Sequence, residues 1–437
     1  MATLQETLHP DSESATNIVN SVNQRYDNLV QFTPGESVLI HKLGELSKEE
    51  FAQRAIEYDR EPRPQTENIA ALRRDNLMAL VIPKELGGHA ADYKTFAFAT
   101  AEVAQGDRST ALLLMMNWVT NYIFDKVGSP EQRKRFAQEV AESGYLTATA
   151  TSEGQSLNAK KVTIDTKFVP NEDGSYQVTG TKRFLSGARI ADRVSLIGEG
   201  IDGFMLAVIY PNNTDNTDIN PGTIEIRKDE PWDPRGMRAT MSETVDFKVT
   251  VPKENIIGRP GEVFQSGLFR LFALGQAAVA LGSAMRTREL FAEHIQMQKE
   301  ASKEELIRKH GQMNKRISEM IAVLAKAADA FTDSENPNNH AEINPNDVTK
   351  VVCEAKLLCA LAAKEITETA IEAGGGYAYA RREVFKEIDV IHRDVEGIRI
   401  MPPNIDRARE VIGLIKQGKT LVKPLGFARS QTRKQHH

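Results

Sequence analysis

The hydrophobic and polar positions along the chain change their period twice. Residues 36–143 place apolar side chains three and four positions apart, which is the period of amphipathic helices. Within this block Gly128, Ser129 and Pro130 form a helix end followed by a helix start, with serine as the N-cap. The pattern predicts an N-terminal helical domain. Residues 1–35 are rich in Ser, Asn, Thr and Asp, and predict a flexible arm.

In residues 144–258 the apolar period shortens to two, as in strands that bury one face. The alternation from Val162 to Phe168 predicts a strand, and turn-forming residues follow it at 171–174. Further strands are predicted at 194–197, 205–209, 223–226 and 245–251. Their spacing favours a closed or sandwich-like antiparallel β-domain.

The helical period returns at Glu262 and occupies the C-terminal block, residues 259–437. The predicted helices span 264–299, 303–332, a third segment from Asn346 or Asp347 to the glycines 374–376, and a last segment with Asn404 as its N-cap. Long antiparallel helices form bundles. The predicted fold class is therefore α+β, with an N-terminal helical domain, a middle antiparallel β-domain and a C-terminal domain resembling a four-helix bundle.

Composition narrows the class of protein. Two cysteines in 437 residues, Cys353 and Cys359, exclude a disulfide scaffold and favour a reducing compartment. The net charge of −5 offers no basic surface to nucleic acid. We find no secretory signal, no apolar run of the roughly 18 residues that span a membrane, and no metal-ligand spacing. We expect a cytoplasmic enzyme or ligand-binding protein without a metal, a membrane or a nucleic-acid partner.

Three motifs follow one another along the chain. They are VIPKELGG at 81–88, GTKRFLSGA at 180–188, and GMRAT at 236–240 with its continuation VPKENIIG at 251–258. In this order they resemble the acyl-CoA dehydrogenase superfamily of flavoproteins, over residues 51–413. The resemblance implies FAD bound between the β-domain and the C-terminal bundle. It also implies a homo-oligomer, a dimer or tetramer, in which a neighbouring subunit completes the flavin site.

The same resemblance assigns candidate cofactor-binding residues. Phe184 corresponds to the aromatic wall beside the flavin, Leu185 follows it, and Ser186 corresponds to a small hydroxyl residue at the flavin edge. Gly375 belongs to a turn that in the family approaches the flavin of the partner subunit; the alternative is a helix C-cap. The remaining candidates follow the first strand, where the family has Thr-Glu-Pro and Gly-Ser, and are Thr151, Ser152, Gln155 and Ser156.

The sequence departs from the family at the catalytic base. Removal of the α-proton of an acyl thioester needs a carboxylate, but residues 401–404, at the family's Glu-Gly-Thr position, read Met-Pro-Pro-Asn. The alternative position on the first long helix of the bundle, residues 271–274, also has no carboxylate. His392 and Glu396 remain as candidates for a base or proton donor, and each has a purely structural alternative.

Three functions are consistent with these residues. The first is an FAD-dependent oxidoreductase that acts on an acyl thioester or a related small substrate with a non-standard base. The second is a flavin-dependent monooxygenase, which removes no α-proton and uses FAD, FMN or a reduced flavin. Its candidate donors are Ser152, Ser186 and His392. The third is a redox-inactive protein that binds CoA esters or serves in assembly.

Overall fold

The chain forms helices, then one sheet, then helices again, as the sequence predicts. The computed structural model describes residues 13–153, 164–211, 222–335 and 344–419. The N-terminal helices are α1 (Glu13–Arg25), α2 (Pro34–Leu46), α3 (Ala52–Arg60), α4 (Thr66–Arg74), α5 (Tyr93–Gly106), α6 (Arg108–Val127) and α7 (Pro130–Ser143). The strands are β1 (Thr147–Ala150), β2 (Lys167–Pro170), β3 (Tyr176–Leu185), β4 (Arg193–Gly200), β5 (Gly203–Ile209), β6 (Gly222–Ile226), β7 (Glu243–Val251) and β8 (Ile256–Ile257). The C-terminal helices are α8 (Glu262–Gln265), α9 (Leu268–Gln296), α10 (Glu300–Glu335), α11 (Pro345–Tyr379), α12 (Phe385–Ile400) and α13 (Ile405–Lys416).

A single hydrophobic core joins the two helical parts of the chain. Helix α9 lies inside it and packs against α5, α6, α10 and α11. The small residues of α9 permit close approach: a Cβ at Gly282 would lie 2.1 Å from the carbonyl oxygen of Ala101 on α5. By length and composition α9 also passes as a membrane-spanning helix, which corrects the expectation that no apolar segment reaches that length. However, 94% of its most apolar stretch is buried inside the protein, as in the core helix of a globular fold.

The strands form a sheet in the order β6-β7-β3-β2-β4-β5-β8, with β1 beside β4. Most neighbours are antiparallel as predicted, but β1 and β4 pair in parallel, and so do β2 and β4. Alternating apolar and polar side chains predict a strand but do not show whether it runs parallel or antiparallel to its neighbour. The sequence pattern therefore did not predict these two parallel pairs. The strand predicted from Val162 begins at Lys167 instead, and Val162 itself lies outside the described residues.

The prediction of a flexible arm is wrong for residues 13–35. Helix α1 occupies Glu13–Arg25, and Val22 and Tyr26 are fully buried. The Tyr26 hydroxyl donates to the buried Glu102 carboxylate at 2.6 Å. Ala15, Ile18, Val22 and Tyr26 are spaced by three and four residues, and the polar composition around them concealed this apolar stripe.

The four helices predicted in the C-terminal block are present as α9, α10, α11 and α13, and most of their ends differ from the prediction by a few residues. The third helix is capped by the Asn344 side chain with Pro345 at the first position, and not by Asn346 or Asp347. Asn404 caps α13 as predicted, since its side chain accepts from the backbone N–H of Arg407. Helix α12 was not predicted from the sequence at all.

Candidate functional site

Two strand ends meet at one edge of the sheet. β1 ends at Ala150 and β3 ends at Leu185. Between them the backbone N–H of Arg183 donates to the Ser152 carbonyl at 2.9 Å. The structure thereby brings five of the predicted cofactor-binding residues to this edge, namely Thr151, Ser152, Phe184, Leu185 and Ser186. The other two predicted on the same loop, Gln155 and Ser156, lie outside the described residues.

Phe184 presents its ring at this edge. Its φ of +59° lies in the left-handed region, where aromatic residues are rare, and the register of β3 against β7 shifts between Lys182 and Leu185. Such bulges redirect a side chain. The Phe184 side chain is 62% exposed and contacts Trp232 edge-on, with ring centroids 6.5 Å apart. The strained backbone at Phe184 thus presents an exposed aromatic ring, which is suited to cover one face of a planar ligand.

The two residues that follow this ring are buried. The Leu185 side chain is buried in the β-domain core, so only its backbone remains to meet a ligand. The Ser186 hydroxyl lies 2.7 Å from that of Ser242, which lies 2.8 Å from that of Thr240. The Thr240 hydroxyl donates to the Met237 carbonyl at 2.8 Å. Ser186, Ser242 and Thr240 are all buried and form a hydroxyl chain behind the edge.

A buried ion pair fixes the loop after β1. The Lys182 ammonium contacts the Glu153 carboxylate, which also accepts from the Thr166 hydroxyl at 2.7 Å. Burial lowers the pKa of Lys182 to about 8. Burial is the largest single influence on Glu153 and opposes its ionisation, but Lys182 together with the hydrogen bonds from Thr166 and the Asp165 backbone lowers the pKa of Glu153. The pair therefore joins the loop carrying Thr151 to the strand carrying Phe184.

A second buried pair joins three parts of the chain. Asp394 on α12 accepts from the backbone N–H of Met237 and from Arg108 Nε at 3.1 Å. Both side chains are buried. Burial raises the pKa of Asp394 to about 6, against the opposing effect of Arg108. From the sequence alone Asp394 received no role, because its partners lie more than 150 residues away.

His392 and Glu396 belong to a different network. His392 Nδ1 lies 3.1 Å from the Thr367 hydroxyl and Nε2 lies 3.4 Å from Lys364 Nζ. Glu396 contacts Lys364 and accepts from Arg399 at 2.7 Å. Burial lowers the pKa of His392, and the positive charge of the nearby Lys364 lowers it further. Since these partners all lie on α11 and α12, the structure does not bring the two candidate bases to the strand edge.

The loop Met401–Asn404, where the resemblance places the family's glutamate, is held by two side chains of the bundle. Lys356 Nζ donates to the carbonyls of Met401 at 2.7 Å and Pro403 at 2.9 Å, and Gln276 Nε2 donates to that of Pro402 at 3.1 Å. Burial lowers the pKa of Lys356 to about 7, and the Cys353 thiol opposes this shift. Sequence reasoning missed Lys356, since a lysine within an apolar helical stripe carries no mark of a backbone contact.

The titration of Lys356 predicts a pH-dependent stability. Because the pKa of this amine is lower in the folded than in the unfolded protein, the unfolded state binds more protons between about pH 7 and 10. The free energy of unfolding should therefore rise across this range, and Lys356→Met should show a shallower rise in urea titrations. Lys416→Met, at an exposed position, is the matched control. Equal slopes for the wild type and Lys356→Met would contradict the assignment.

Gly375 interrupts helix α11. Its φ of 50° and ψ of −122° are non-helical, and an added Cβ would meet no atom of the described residues within 4 Å. The open space around Gly375 agrees with a turn that faces another molecule, as well as with a helix end. Among the described residues no group of His, Cys, Asp and Glu is arranged to hold a metal ion.

Comparison with known proteins identifies two matching domains. Residues 33–144 match the family model "Acyl-CoA dehydrogenase, N-terminal domain", and residues 262–413 match "Acyl-CoA dehydrogenase, C-terminal domain". The two matches lie on either side of the sheet and together cover more than half of the chain.

Two curated relatives represent different reactions. A dibenzothiophene monooxygenase of Mycolicibacterium goodii is 30% identical over 258 residues, 56% of this chain and 59% of the relative. A cyclohex-1-ene-1-carbonyl-CoA dehydrogenase of Syntrophus aciditrophicus is 28% identical over 63% of this chain and 68% of the relative. The chain spans only between 49% and 59% of the length of the dibenzothiophene monooxygenases it matches.

A solved structure extends the likeness over most of the chain. FMN-bound TdsC of Paenibacillus sp. A11-2, a dibenzothiophene monooxygenase, superposes with a TM-score of 0.77 at 23% identity, and covers 89% of this chain and 100% of that chain. At this level of identity the similarity establishes the fold.

Proposed function

This chain belongs to the acyl-CoA dehydrogenase family, and we propose that it is a flavin-dependent monooxygenase that oxygenates a small organic substrate. The observation that carries the proposal is the Met401–Asn404 loop. It contains no carboxylate, and residues 271–274 on α9, the family's alternative position, contain none. An acyl-CoA dehydrogenase needs such a base, whereas oxygen transfer does not. Dibenzothiophene monooxygenases among the relatives support the same choice.

The residues at the strand edge fit a flavin. The exposed Phe184 ring would cover one face of a planar ring system, and the Thr151 hydroxyl is buried with no hydrogen-bond partner among the described residues. Thr151, Ser152, the backbone of Leu185, and Ser186 would hold the polar edge of FAD or FMN. Gln155 and Ser156 belong to the same proposal. When bound, the flavin supplies two-electron redox chemistry and reacts with molecular oxygen.

The protein's own part is binding, orientation and exclusion of water. The Lys182–Glu153 pair keeps the Thr151 loop against β3, and the Arg108–Asp394 pair keeps the turn at Met237 in place. Lys356 holds the Met401–Asn404 loop against α11 through the Met401 and Pro403 carbonyls. The proposal assigns no proton transfer to His392 or Glu396, because both are engaged between α11 and α12.

The proposal includes an oligomer and a compartment. Gly375 is open to its surroundings, and we propose that this turn completes the flavin site of a second copy in a homodimer or homotetramer. We propose a cytoplasmic location, since Cys353 and Cys359 are both free and buried.

An experiment with oxygen-18 separates the candidates. The full chain is mixed with reduced FMN or FAD, ¹⁸O₂ and dibenzothiophene, and the products are examined by mass spectrometry. Incorporation of the label supports the monooxygenase. Anaerobic bleaching of oxidised flavin by cyclohex-1-ene-1-carbonyl-CoA, without label incorporation, supports the second candidate, an acyl-thioester dehydrogenase like the Syntrophus relative. A chain that binds neither oxidised nor reduced flavin overturns both and leaves a CoA-ester-binding or assembly protein.

A further inference from the structure

The hydroxyl chain behind the strand edge has a direction. Three contacts link Ser186 to Ser242, Ser242 to Thr240, and Thr240 to the Met237 carbonyl. Each hydroxyl carries one hydrogen, whereas a carbonyl can only accept. The last contact therefore requires the hydrogen of Thr240. The Ser242 hydrogen must then go to Thr240, and the Ser186 hydrogen must go to Ser242, because no other assignment makes all three bonds.

The Met237 carbonyl, at the end of this hydroxyl chain, is held in position by the turn around it. Met237 and Met241, which flank the turn Arg238–Thr240, both have left-handed φ values, of 50° and 43°. Asp394 accepts from the Met237 N–H, and the Gly187 N–H donates to the Thr240 carbonyl at 2.8 Å. These bonds fix the Met237 carbonyl as the acceptor at the end of the chain. Since all three hydroxyls are buried, bulk water does not compete for their hydrogens.

We propose that Ser242 and Thr240 are positioning residues that make Ser186 a hydrogen-bond acceptor towards the bound flavin. The inference rests on the proposed flavin site, and it takes the ring nitrogen N5 as the flavin atom that Ser186 faces. The ring nitrogen N5 of oxidised flavin has no hydrogen and only accepts, whereas N5 of reduced flavin carries a hydrogen and donates. An acceptor at Ser186 therefore opposes oxidised flavin and favours reduced flavin. The direction of the hydrogen bonds from Ser186 through Ser242 to Thr240 therefore sets the redox preference of the site.

The test compares affinities for the two forms of one flavin. Oxidised FMN and anaerobically reduced FMN are titrated into the full chain, and the ratio of the two dissociation constants is measured. In Ser242→Ala the hydrogen of Ser186 is released and can be donated to oxidised flavin. We expect the preference for reduced FMN to fall by about tenfold, the effect of roughly one hydrogen bond. That corresponds to a midpoint potential lower by about 30 mV for a two-electron couple.

Further variants distinguish a changed direction of the hydroxyl hydrogen bonds from a general disturbance of the site. Thr240→Val frees the Ser242 hydrogen to turn towards Ser186, so the ratio should shift in the same direction. Ser242→Thr keeps the hydroxyl and should restore the wild-type ratio. Thr250→Val removes a hydroxyl farther along β7, where its partner is Gln177, and should leave the ratio unchanged. An unchanged ratio in a folded Ser242→Ala protein that still binds FMN overturns the inference. Failure of the wild type to bind either form overturns the proposed function instead.

Discussion

Replacement of Asp394 by asparagine is expected to lower the free energy of unfolding by about 3–5 kcal/mol. The carboxylate accepts from both the Met237 N–H and the buried Arg108 guanidinium. An asparagine has one oxygen for these two donors, and its NH₂ group would face a donor. The substitution also leaves the positive charge of Arg108 buried without its counter-charge. Urea unfolding measured above pH 7, where Asp394 is ionised, gives the difference directly.

The control is an acidic residue with a similar partner on the surface. Asp406 pairs with Arg409 at 3.1 Å, but its side chain is 89% exposed. Asp406→Asn should change the free energy of unfolding by less than about 1 kcal/mol, because solvent screens an exposed pair. If the two variants unfold at similar urea concentrations, the buried pair does not hold the three parts of the chain together.

Replacement of Phe184 by alanine should weaken flavin binding by about 5- to 150-fold. Stacking of a heteroaromatic ring on an aromatic side chain contributes about 1–3 kcal/mol by alanine substitution. The Phe184 ring is exposed and contacts Trp232 only at its edge, so its loss should cost the fold little. Dissociation constants from flavin fluorescence, with thermal unfolding measured in parallel, distinguish lost binding from lost stability.

Ile201 provides the comparison for this substitution. It is a large apolar residue in the turn between β4 and β5 and is 83% exposed. Ile201→Ala should leave flavin affinity unchanged. Equal affinities of Phe184→Ala and the wild type would remove Phe184 from the proposed site.

The choice of a monooxygenase reaction rests on the whole Met401–Asn404 loop and not on one catalytic residue. The Met401–Asn404 loop turns its carbonyls towards Lys356 and Gln276. Among the residues that the structure describes, no carboxylate pairs with the buried Lys356 amine, which donates to the Met401 and Pro403 carbonyls. A loop secured in this way offers no base for thioester chemistry, and this agrees with a site where molecular oxygen supplies the reactive atom.

Much of this protein follows from local patterns in the sequence. The period of apolar residues predicts helices, then strands, then helices, and neighbouring side chains determine the caps at Ser129 and Asn404. The GTKRFLSGA motif placed Phe184 and Ser186 on one strand end, and the structure brings Thr151 and Ser152 beside them. Each of these predictions concerns residues within a few positions of one another, so the sequence alone contains the information.

Only the tertiary structure decided which distant residues meet. Asp394 contacts Met237 and Arg108, and Lys356 contacts Met401 and Pro403. These contacts link segments separated by 45 to 286 residues. The direction of the hydroxyl chain depends on a carbonyl whose position is held by Asp394. The physical reason is that a buried polar group must find a hydrogen-bond partner, but any nearby segment of the fold can supply it. Periodicity shows which residues are buried, and packing alone selects their partners.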